Sequence, residues 1–267
     1  MNINIYEMLN EIRAKQPIVH HMTNWVTIFN CAQAVKSIGA SPVMAHALEE
    51  AAEMTSISSA LVLNIGTLTK KFIESMLIST KTANKNKIPI VLDVCGAGAS
   101  SLRNSSCSEL ITKRRIDIIK GNASEIAAVA GYNVKTKGVD SSDVEYSLSD
   151  IALNLSEKTS SVVVITGKTD YVASNGKVAM VDNGTELMGR VVGTGCIAAS
   201  IIGCFASVNP SDLFTASAAA LSVWGIAGEK ASAKSNGAGS FLLHIFDILS
   251  SLSEKDINKN KKIAFMQ

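Results

Sequence analysis

Aromatic residues make up only 5% of this 267-residue chain, and no apolar run reaches the length that a membrane-spanning helix requires. Few aromatic rings means few surfaces on which nucleic-acid bases can stack. The formal net charge of +2 is also too small to indicate a nucleic-acid footprint. We therefore expect no nucleic-acid partner and no membrane contact, and a small anionic ligand remains compatible with the composition.

Paired cysteines and the common nucleotide-binding fingerprints are missing as well. The cysteines are scattered, with neither a CxxC pair nor a Cys/His spacing that suits zinc, and they stand at Cys31, Cys95, Cys107, Cys196 and Cys204. The N-terminus lacks the apolar segment of a signal peptide, so we expect a cytoplasmic protein. There is no Walker A sequence, and Gly96-Ala97-Gly98 lacks the third glycine of a dinucleotide fingerprint.

The chain instead alternates short apolar runs with helical patterns. Continuous apolar runs predict strands buried on both faces at 60–65, 88–93, 116–120 and 161–166. Helices are predicted at 69–84, 106–113, 122–130, 146–158, 195–206, 211–231 and 238–252, with the polar stretch 133–145 as a surface connection. This alternation predicts one α/β domain over 1–267, with a central, mostly parallel sheet flanked by helices on both faces.

Three other segments carry local predictions. A helix capped by Thr23 or Asn24 is expected to end at Gly39, and its apolar face is formed by residues that recur at helical spacing, namely Val26, Phe29, Ala32 and Val35. Strands at 170–174 and 177–182 are expected to form a hairpin that turns at Asn175-Gly176. The Lys/Asn-rich stretch 255–262 is expected to be a solvated tail or a fraying helix.

Polar and glycine residues follow the predicted strands at the point where each strand ends. These residues are Asn64, Asp93, Lys120, Asn122 and Thr166, each close to a glycine. In an open α/β sheet, ligands bind beyond the carboxyl ends of the strands. The sequence therefore predicts the active site at this edge.

The segment Gly193-Thr194-Gly195-Cys196 precedes an apolar helix. Unpaired N–H groups and the helix dipole make such a helix start a site for a phosphate, and the glycines permit close approach. An ordinary tight turn ahead of a core helix is the alternative interpretation. With the strand-end residues, this turn predicts an apparatus for phosphoryl transfer.

Each member of this set has a candidate role. The carboxylates of Asp93 and Glu125 suit Mg²⁺ held through waters, Lys120 suits phosphate charge, and Thr166 suits a hydrogen bond to phosphate. The thiol pKa of Cys196 falls at a helix N-terminus, so its sulfur is a candidate acceptor for the proton of an attacking alcohol. Redox sensing is the competing role for Cys196, and helix capping or solvent exposure is the structural alternative for the charged residues.

Seven segments, in order along most of the chain, closely resemble the hydroxyethylthiazole kinase family of thiamine salvage. They are TNWV (23–26), GASPVMAHALEE (39–50), LVLNIGTL (61–68), LDVCGAGAS (92–100), IKGNASEI (119–126), VVITGKTDYV (163–172) and VGTGCIAAS (192–200). The resemblance implies a ribokinase-like fold and transfer of the γ-phosphate of ATP to the hydroxyl of 4-methyl-5-(2-hydroxyethyl)thiazole, with Mg²⁺. It also implies a homotrimer with each active site at a subunit boundary.

The same resemblance implies roles for individual residues. Asn24, Met44 and Gly193 would contact the thiazole, and Lys120, Asn122 and Thr166 would bind ATP. Asp93 and Glu125 would serve the metal, and Cys196 stands where many ribokinase-like enzymes have an aspartate base. The chain departs from the family pattern at two places, where it has Val94-Cys95 instead of Pro-Val and Lys120 instead of arginine.

Three alternatives to the thiazole kinase stay open from sequence. The fold also accommodates kinases for pyridine or pyrimidine alcohols, such as pyridoxal and hydroxymethylpyrimidine, although Asn24 and Met44 favour the thiazole. ATP- or ADP-dependent dehydratases of hydrated nicotinamide cofactors resemble a GTGD form, which Cys196 does not match. A non-catalytic sensor would bind thiazole or nucleotide without turnover.

Overall fold

A nine-stranded sheet forms the centre of the computed structural model, which describes residues 3–132 and 147–266. The strands are β1 Ile18–Met22, β2 Ser41–Val43, β3 Ala60–Asn64, β4 Ile90–Asp93, β5 Ile118–Asn122, β6 Val162–Thr166, β7 Asp170–Ser174, β8 Lys177–Val181 and β9 Ile263–Met266. Their order is β2-β1-β3-β4-β5-β6-β7-β8-β9. Neighbours among the first six strands pair in parallel, and the pairs from β6 to β9 are antiparallel.

Helices connect the strands and follow the hairpin. They are α1 Ile5–Lys15, α2 Ile28–Ile38, α3 Ala51–Ser56, α4 Lys70–Asn86, α5 Ser101–Lys113, α6 Ala123–Ala130, α7 Leu148–Thr159, α8 Thr194–Val208, α9 Leu213–Ser232, α10 Ala238–Ser251 and α11 Glu254–Asn260, with a 3-10 turn at Glu186–Arg190. The predicted connection at 133–145 and the first residue of the helix predicted at 146–158 lie outside the described residues. In the described ranges, no helix is both long and apolar enough to cross a membrane.

Each central strand contributes side chains to two separate hydrophobic clusters. Val62 and Val91 belong to one cluster, whereas Leu61 and Leu92, their neighbours along the strands, belong to the other. Because successive side chains of a strand point to opposite faces, the two clusters lie on opposite faces of the sheet. Buried residues of α1, α2, α8, α9 and α10 complete the first cluster, and those of α4 to α7 complete the second. The predicted sheet with helices on both faces is confirmed.

The exposed start of α2 corrects one sequence prediction. Val26 and Phe29 were expected on the buried face, but they are 68% and 75% exposed. Val35 of the predicted stripe is buried, but helical spacing cannot tell which of two apolar stripes faces the core, and Cys31, Ala34 and Ile38 supply most of the buried face. Val192, which is 69% exposed, precedes Gly193, whose backbone packs against Thr27. We call Val26, Phe29 and Val192 the α2 apolar patch.

The last part of the described chain is more ordered than its composition suggests. The stretch 255–262 lies mostly in α11, which begins with a capping box between Ser253 and Asp256 and buries Ile257. β9 then pairs with β8, a strand that sequence analysis missed. Of the two alternatives for this stretch the helix is present and the solvated tail is not, because Ile257 anchors a segment that is otherwise rich in Lys and Asn.

Candidate active site

Polar residues at the carboxyl ends of the central strands lie side by side, as the sequence predicted. Strand register aligns Asn64 with Asp93, and Asp93 with Lys120, on three neighbouring strands. One strand further along, Asn122 is aligned with Thr166. We call these five residues the carboxyl edge, and they place a carboxylate, an ammonium group and three neutral polar side chains in one row.

Lys120 and Asp93 form a buried ion pair at the centre of this edge. Nζ of Lys120 lies 3.2 Å from Oδ1 of Asp93, and both side chains are at most 4% exposed. Burial raises the pKa of Asp93 to about 7, against the lowering effect of Lys120. Burial on its own lowers the pKa of Lys120, but nearby negative groups, Asp93 first, outweigh it and raise that pKa. The lysine therefore stays charged at neutral pH, and the alternative of a solvated Lys120 is wrong.

Helix α8 begins directly over this ion pair. Gly193 is its N-cap residue with φ +93°, and a Cβ there would lie 2.5 Å from Cγ2 of Thr27. A side chain is therefore excluded at Gly193 both by backbone conformation and by space. A Cβ on Gly195 would lie 3.2 Å from Nζ of Lys120. The first-turn N–H groups of α8, which have no partner within the helix, thus open beside the lysine ammonium.

Thr194 supports the helix start through its side chain. Its hydroxyl donates to the backbone carbonyl of Met188 at 2.9 Å. This bond ties the first residue of α8 to the 3-10 turn before it. The hydroxyl is therefore engaged with backbone, and the contribution that Thr194 can offer to a ligand is its backbone N–H.

The sulfur of Cys196 accepts hydrogen bonds from two side-chain amide groups. Nδ2 of Asn24 lies 3.2 Å from Sγ, and Nδ2 of Asn64 lies 3.3 Å from it. A hydrogen bond with the Cys95 thiol lowers the pKa of Cys196 most, and it outweighs the raising effect of burial. Smaller lowering effects come from Thr27, Lys120 and Asn24, and the pKa falls to about 5. The sulfur at the start of α8 therefore belongs to a thiol that is more acidic than a free cysteine.

The remaining predicted carboxylate, Glu125, has a capping role in this structure. Its Oε2 accepts from the backbone N–H of Asn122, and the Asn122 side chain accepts from the N–H of Glu125 in return. Its Oε1 accepts from the N–H of Gly96 at 2.7 Å. Glu125 thereby joins the start of α6 to the glycine turn after β4. The capping alternative for Glu125 is present, and its charge is close enough to Asp93 and Lys120 to raise the pKa of each.

A cleft of about 820 Å³ opens beside the start of α8. Its lining includes Asn122 and Thr166 from the carboxyl edge and Thr194 and Gly195 from α8. The residues after β6 and β8 complete the wall, among them Asp170, whose Oδ1 accepts from the N–H of Gly167. The cleft brings Asn122, Thr166 and the first residues of α8 together around a space of nucleotide size.

Met44 and Asn24 approach the site from the other side of the molecule. Met44 follows β2, is half-buried, and packs against the cluster that contains Cys196. Asn24 follows β1, and Oδ1 of its side chain accepts from the backbone N–H groups of Val26 and Thr27. Next to it, Trp25 stacks on Phe72 with 5.6 Å between ring centroids. The contacts of Asn24 hold its amide against the Cys196 sulfur.

No group of three or more His, Cys, Asp or Glu side chains converges as a metal site within 3–132 and 147–266. His20 at the centre of β1 is buried, and its ring hydrogen-bonds the Thr55 hydroxyl at 2.9 Å and the carbonyl of Ala45 at 2.7 Å. These contacts use both ring nitrogens. His20 is therefore a structural residue.

Three residues of the site lacked an assigned role in the sequence analysis. Asn64 was placed at the carboxyl edge, but its bond to Cys196 crosses 132 positions of the chain. Cys95 was noted only as a scattered cysteine and a departure from the family pattern, but its thiol hydrogen-bonds Cys196. Arg103 donates to the carbonyl of Gly66 at 2.5 Å, which joins α5 to the loop after β3. The sequence neighbourhood of Cys95, between Asp93 and a glycine turn, was the available signal for its position.

The chain is similar along most of its length to known proteins of one family. The model of the hydroxyethylthiazole kinase family matches residues 9–255. A hydroxyethylthiazole kinase from Methanosarcina mazei is 51% identical over 255 residues, covering 96% of this chain and 97% of the relative. The solved structure of a hydroxyethylthiazole kinase from Pyrococcus horikoshii has a TM-score of 0.90 and 37% identity, covering 98% of this chain and 99% of that one.

A more distant structure agrees on the fold. A ribokinase-like superfamily protein from Enterococcus faecalis has a TM-score of 0.64 at 12% identity, covering 95% of this chain and 94% of that one, which is a likeness of fold alone. The predicted ribokinase-like architecture is confirmed. With a family model that spans most of its length and a half-identical relative, the chain belongs to the hydroxyethylthiazole kinase family.

Proposed function

We propose that this protein transfers the γ-phosphoryl group of ATP to the hydroxyl of 4-methyl-5-(2-hydroxyethyl)thiazole. The observation that carries the proposal is the sulfur of Cys196 at the mouth of α8, beside the buried ammonium of Lys120. A proton acceptor and a phosphate-binding helix start meet there within one turn. Membership of the family supports the choice of substrate, and the geometry of the site supports the mechanism of phosphoryl transfer.

ATP occupies the cleft beside α8 in this proposal. Asn122 and Thr166 lie on its wall, and Lys120 neutralises phosphate charge from below Gly195. The N–H groups of Thr194, Gly195 and Cys196 point at the transferred group, where positioning and charge stabilisation account for most of the catalysis. Lysine binds phosphate as a point charge, so it replaces the family's arginine without the bidentate geometry.

The thiazole alcohol lies on the Asn24 side of the sulfur. Asn24, Met44 and the backbone of Gly193 form its surroundings. As the alcohol oxygen forms its bond to the γ-phosphorus, the bond to the ADP oxygen breaks and the hydroxyl proton passes to the Cys196 sulfur. A thiolate is a weak base toward an alcohol, so the amide cradle contributes more than the proton acceptor.

The carboxylates fit a hydrated Mg²⁺ carried by the nucleotide. Both oxygens of Asp93 already accept hydrogen bonds, from Lys120 and Asn64, and both oxygens of Glu125 accept backbone N–H groups. These oxygens are hard ligands that the hydrogen bonds hold in fixed orientations. Because each already accepts a hydrogen bond, they suit contact with the waters of a hydrated ion better than a site in which protein atoms supply every ligand. Asp93 and Glu125 would hold the ion through its waters, and the ion would neutralise charge on the phosphates.

We further propose that the working enzyme is a homotrimer of single-domain chains spanning 1–267, located in the cytoplasm. The α2 apolar patch supports the oligomer, because three large apolar side chains lie exposed beside the substrate side of the site. Covering the patch with a second copy would place each active site at a subunit boundary. The five free cysteines suit a reducing compartment.

The proposed reaction is tested with purified protein, Mg-ATP and the thiazole alcohol, with the phosphorylated product detected by ³¹P NMR. Pyridoxal, hydroxymethylpyrimidine and hydrated NADH are assayed in parallel at the same concentrations. We expect turnover with the thiazole at least tenfold above any of the others. Phosphorylation of another alcohol at the higher rate, dehydration of hydrated NADH, or binding of thiazole without turnover would overturn the proposal.

A further inference from the structure

Asn64 occupies the point where the ion pair and the sulfur meet. Its side chain is 1% exposed at the end of β3. Oδ1 accepts from the N–H of Gly66 at 2.9 Å and from Nδ2 of Asn24 at 3.0 Å. Nδ2 donates to Oδ2 of Asp93 at 2.7 Å and to Sγ of Cys196 at 3.3 Å. A primary amide has two donors and two acceptor positions, and all four are used here.

These partners fix the direction of the Asn64 amide. Turned by 180°, its oxygen would face the Asp93 carboxylate and the Cys196 sulfur, and its NH₂ group would face the N–H of Gly66. Each reversed contact would place two acceptors or two donors face to face. The site is buried, so leaving these polar groups unsatisfied is costly. The amide therefore presents its N–H to the sulfur in one orientation only.

Asn24 is fixed in the same way from the other side. Its Oδ1 accepts from two backbone N–H groups and from the Thr27 hydroxyl, each at 3.1 Å. Its Nδ2 then has Asn64 and Cys196 as partners. Removing Asn64 thus takes one amide from the sulfur directly and leaves the Nδ2 group of Asn24 without one of its two anchors.

We propose that Asn64 is a positioning residue for the phosphoryl transfer, which holds the Cys196 sulfur as a proton acceptor and sets its place relative to Asp93. The inference rests on the proposed function. Asn64 acts through Cys196 and Asp93, and its two N–H bonds join the residue that receives the proton to the residue that faces the phosphates. No other side chain in the described ranges donates a hydrogen bond to both Cys196 and Asp93.

The test compares Asn64→Ala with Asn64→Asp and with Asn84→Ala, a control at a half-buried amide on α4 that hydrogen-bonds the backbone of Arg115. Asn64→Asp keeps the shape and the acceptor toward Gly66 but cannot offer an amide N–H to the sulfur, so it remains informative if Asn64→Ala fails to fold. We expect both Asn64 variants to lower kcat by 10- to 100-fold with KM for thiazole and ATP changed less than threefold. Asn84→Ala should match the parent in both parameters.

A second readout follows Cys196 without either substrate. The rate of alkylation of Cys196 by iodoacetamide is measured by mass spectrometry of its peptide as a function of pH. We expect the midpoint to move upward by about one pH unit, a tenfold change in proton affinity, in both Asn64 variants. An unchanged midpoint, an unchanged kcat, or a loss confined to KM would overturn the proposal. Because alkylation needs no thiazole, a shifted midpoint stands even if the chain prefers another alcohol.

Discussion

At the scale of single residues, Gly195 is the position where the absence of a side chain has the clearest chemical consequence. A Cβ at this position would lie 3.2 Å from Nζ of Lys120, so any side chain here would crowd the ammonium and the first turn of α8. Sequence analysis predicted the glycine turn and the strand-end residues because both are local patterns. The bonds from Asn24 and Asn64 to Cys196 were not predictable, because they join residues 172 and 132 positions apart through side-chain geometry.

We predict that Gly195→Val lowers kcat/KM by at least 100-fold, because the added side chain displaces Lys120 and blocks the first-turn N–H groups. Gly239→Val is the matched control, since Gly239 is also the second residue of a helix with a glycine N-cap, and a Cβ there meets nothing within 4 Å. Steady-state kinetics with both substrates checks the pair. Equal losses in the two variants would contradict the assignment.

Asp170 at the start of β7 gives a pH-dependent prediction. Burial raises its pKa to about 7, from an ordinary value near 4 in the unfolded chain. A raised folded-state pKa stabilises the fold below pH 4, and that contribution is lost as the pH rises through 7. Asp170→Asn should therefore raise the free energy of unfolding at pH 8 by about 1 to 3 kcal/mol.

The gain from Asp170→Asn should shrink as the pH approaches 4, which urea unfolding without ligand at several pH values can measure. The exposed Asp247→Asn on α10 controls for the loss of one negative charge. A gain that does not vary with pH would show that the Asp170 carboxyl is not the cause.

At the scale of secondary-structure elements, sequence patterns predicted which segments form strands and helices but not every boundary. The predicted helix at 106–113 begins at Ser101, because the side chain of Ser100 accepts from the N–H of Arg103 and starts the helix early. β9 was missed because only four residues form it, and its stability comes from pairing with β8. Such a partner is defined by the folded sheet and leaves no local pattern.

The packing of β9 can be tested through two neighbouring side chains. Phe265 is half-buried and packs on the hydrophobic cluster that α8 and α9 help to form. Its ring centroid lies 6.4 Å from that of Phe214. We predict that Phe265→Ala lowers the free energy of unfolding by about 1 to 3 kcal/mol, since partial burial reduces the usual cost. Met266→Ala, at a side chain 46% exposed on the opposite face, should stay within about 0.5 kcal/mol of the parent. Similar losses in both would contradict the packing described.

At the scale of the whole molecule, the proposed assembly depends on the α2 apolar patch, which lies next to Gly193. Phe29→Glu should convert the proposed trimer into a species of one 28.1 kDa chain and reduce activity, because a charge cannot be buried there without a partner. Ile78→Glu, at an apolar side chain on α4 that is 36% exposed, serves as the control and should keep the assembly. Sedimentation equilibrium measures both. A parent protein that is already monomeric and active would contradict the proposed assembly.

The central claim is that the Cys196 sulfur accepts the proton of the alcohol while the start of α8 holds the phosphoryl group. The most direct measurement is kcat for the thiazole alcohol in Cys196→Ala and Cys196→Asp beside the parent. We predict that Cys196→Ala lowers kcat by about 100-fold with KM nearly unchanged, and that Cys196→Asp, which restores a base, keeps or raises the parental kcat. A Cys196→Ala enzyme with the parental kcat would contradict the account.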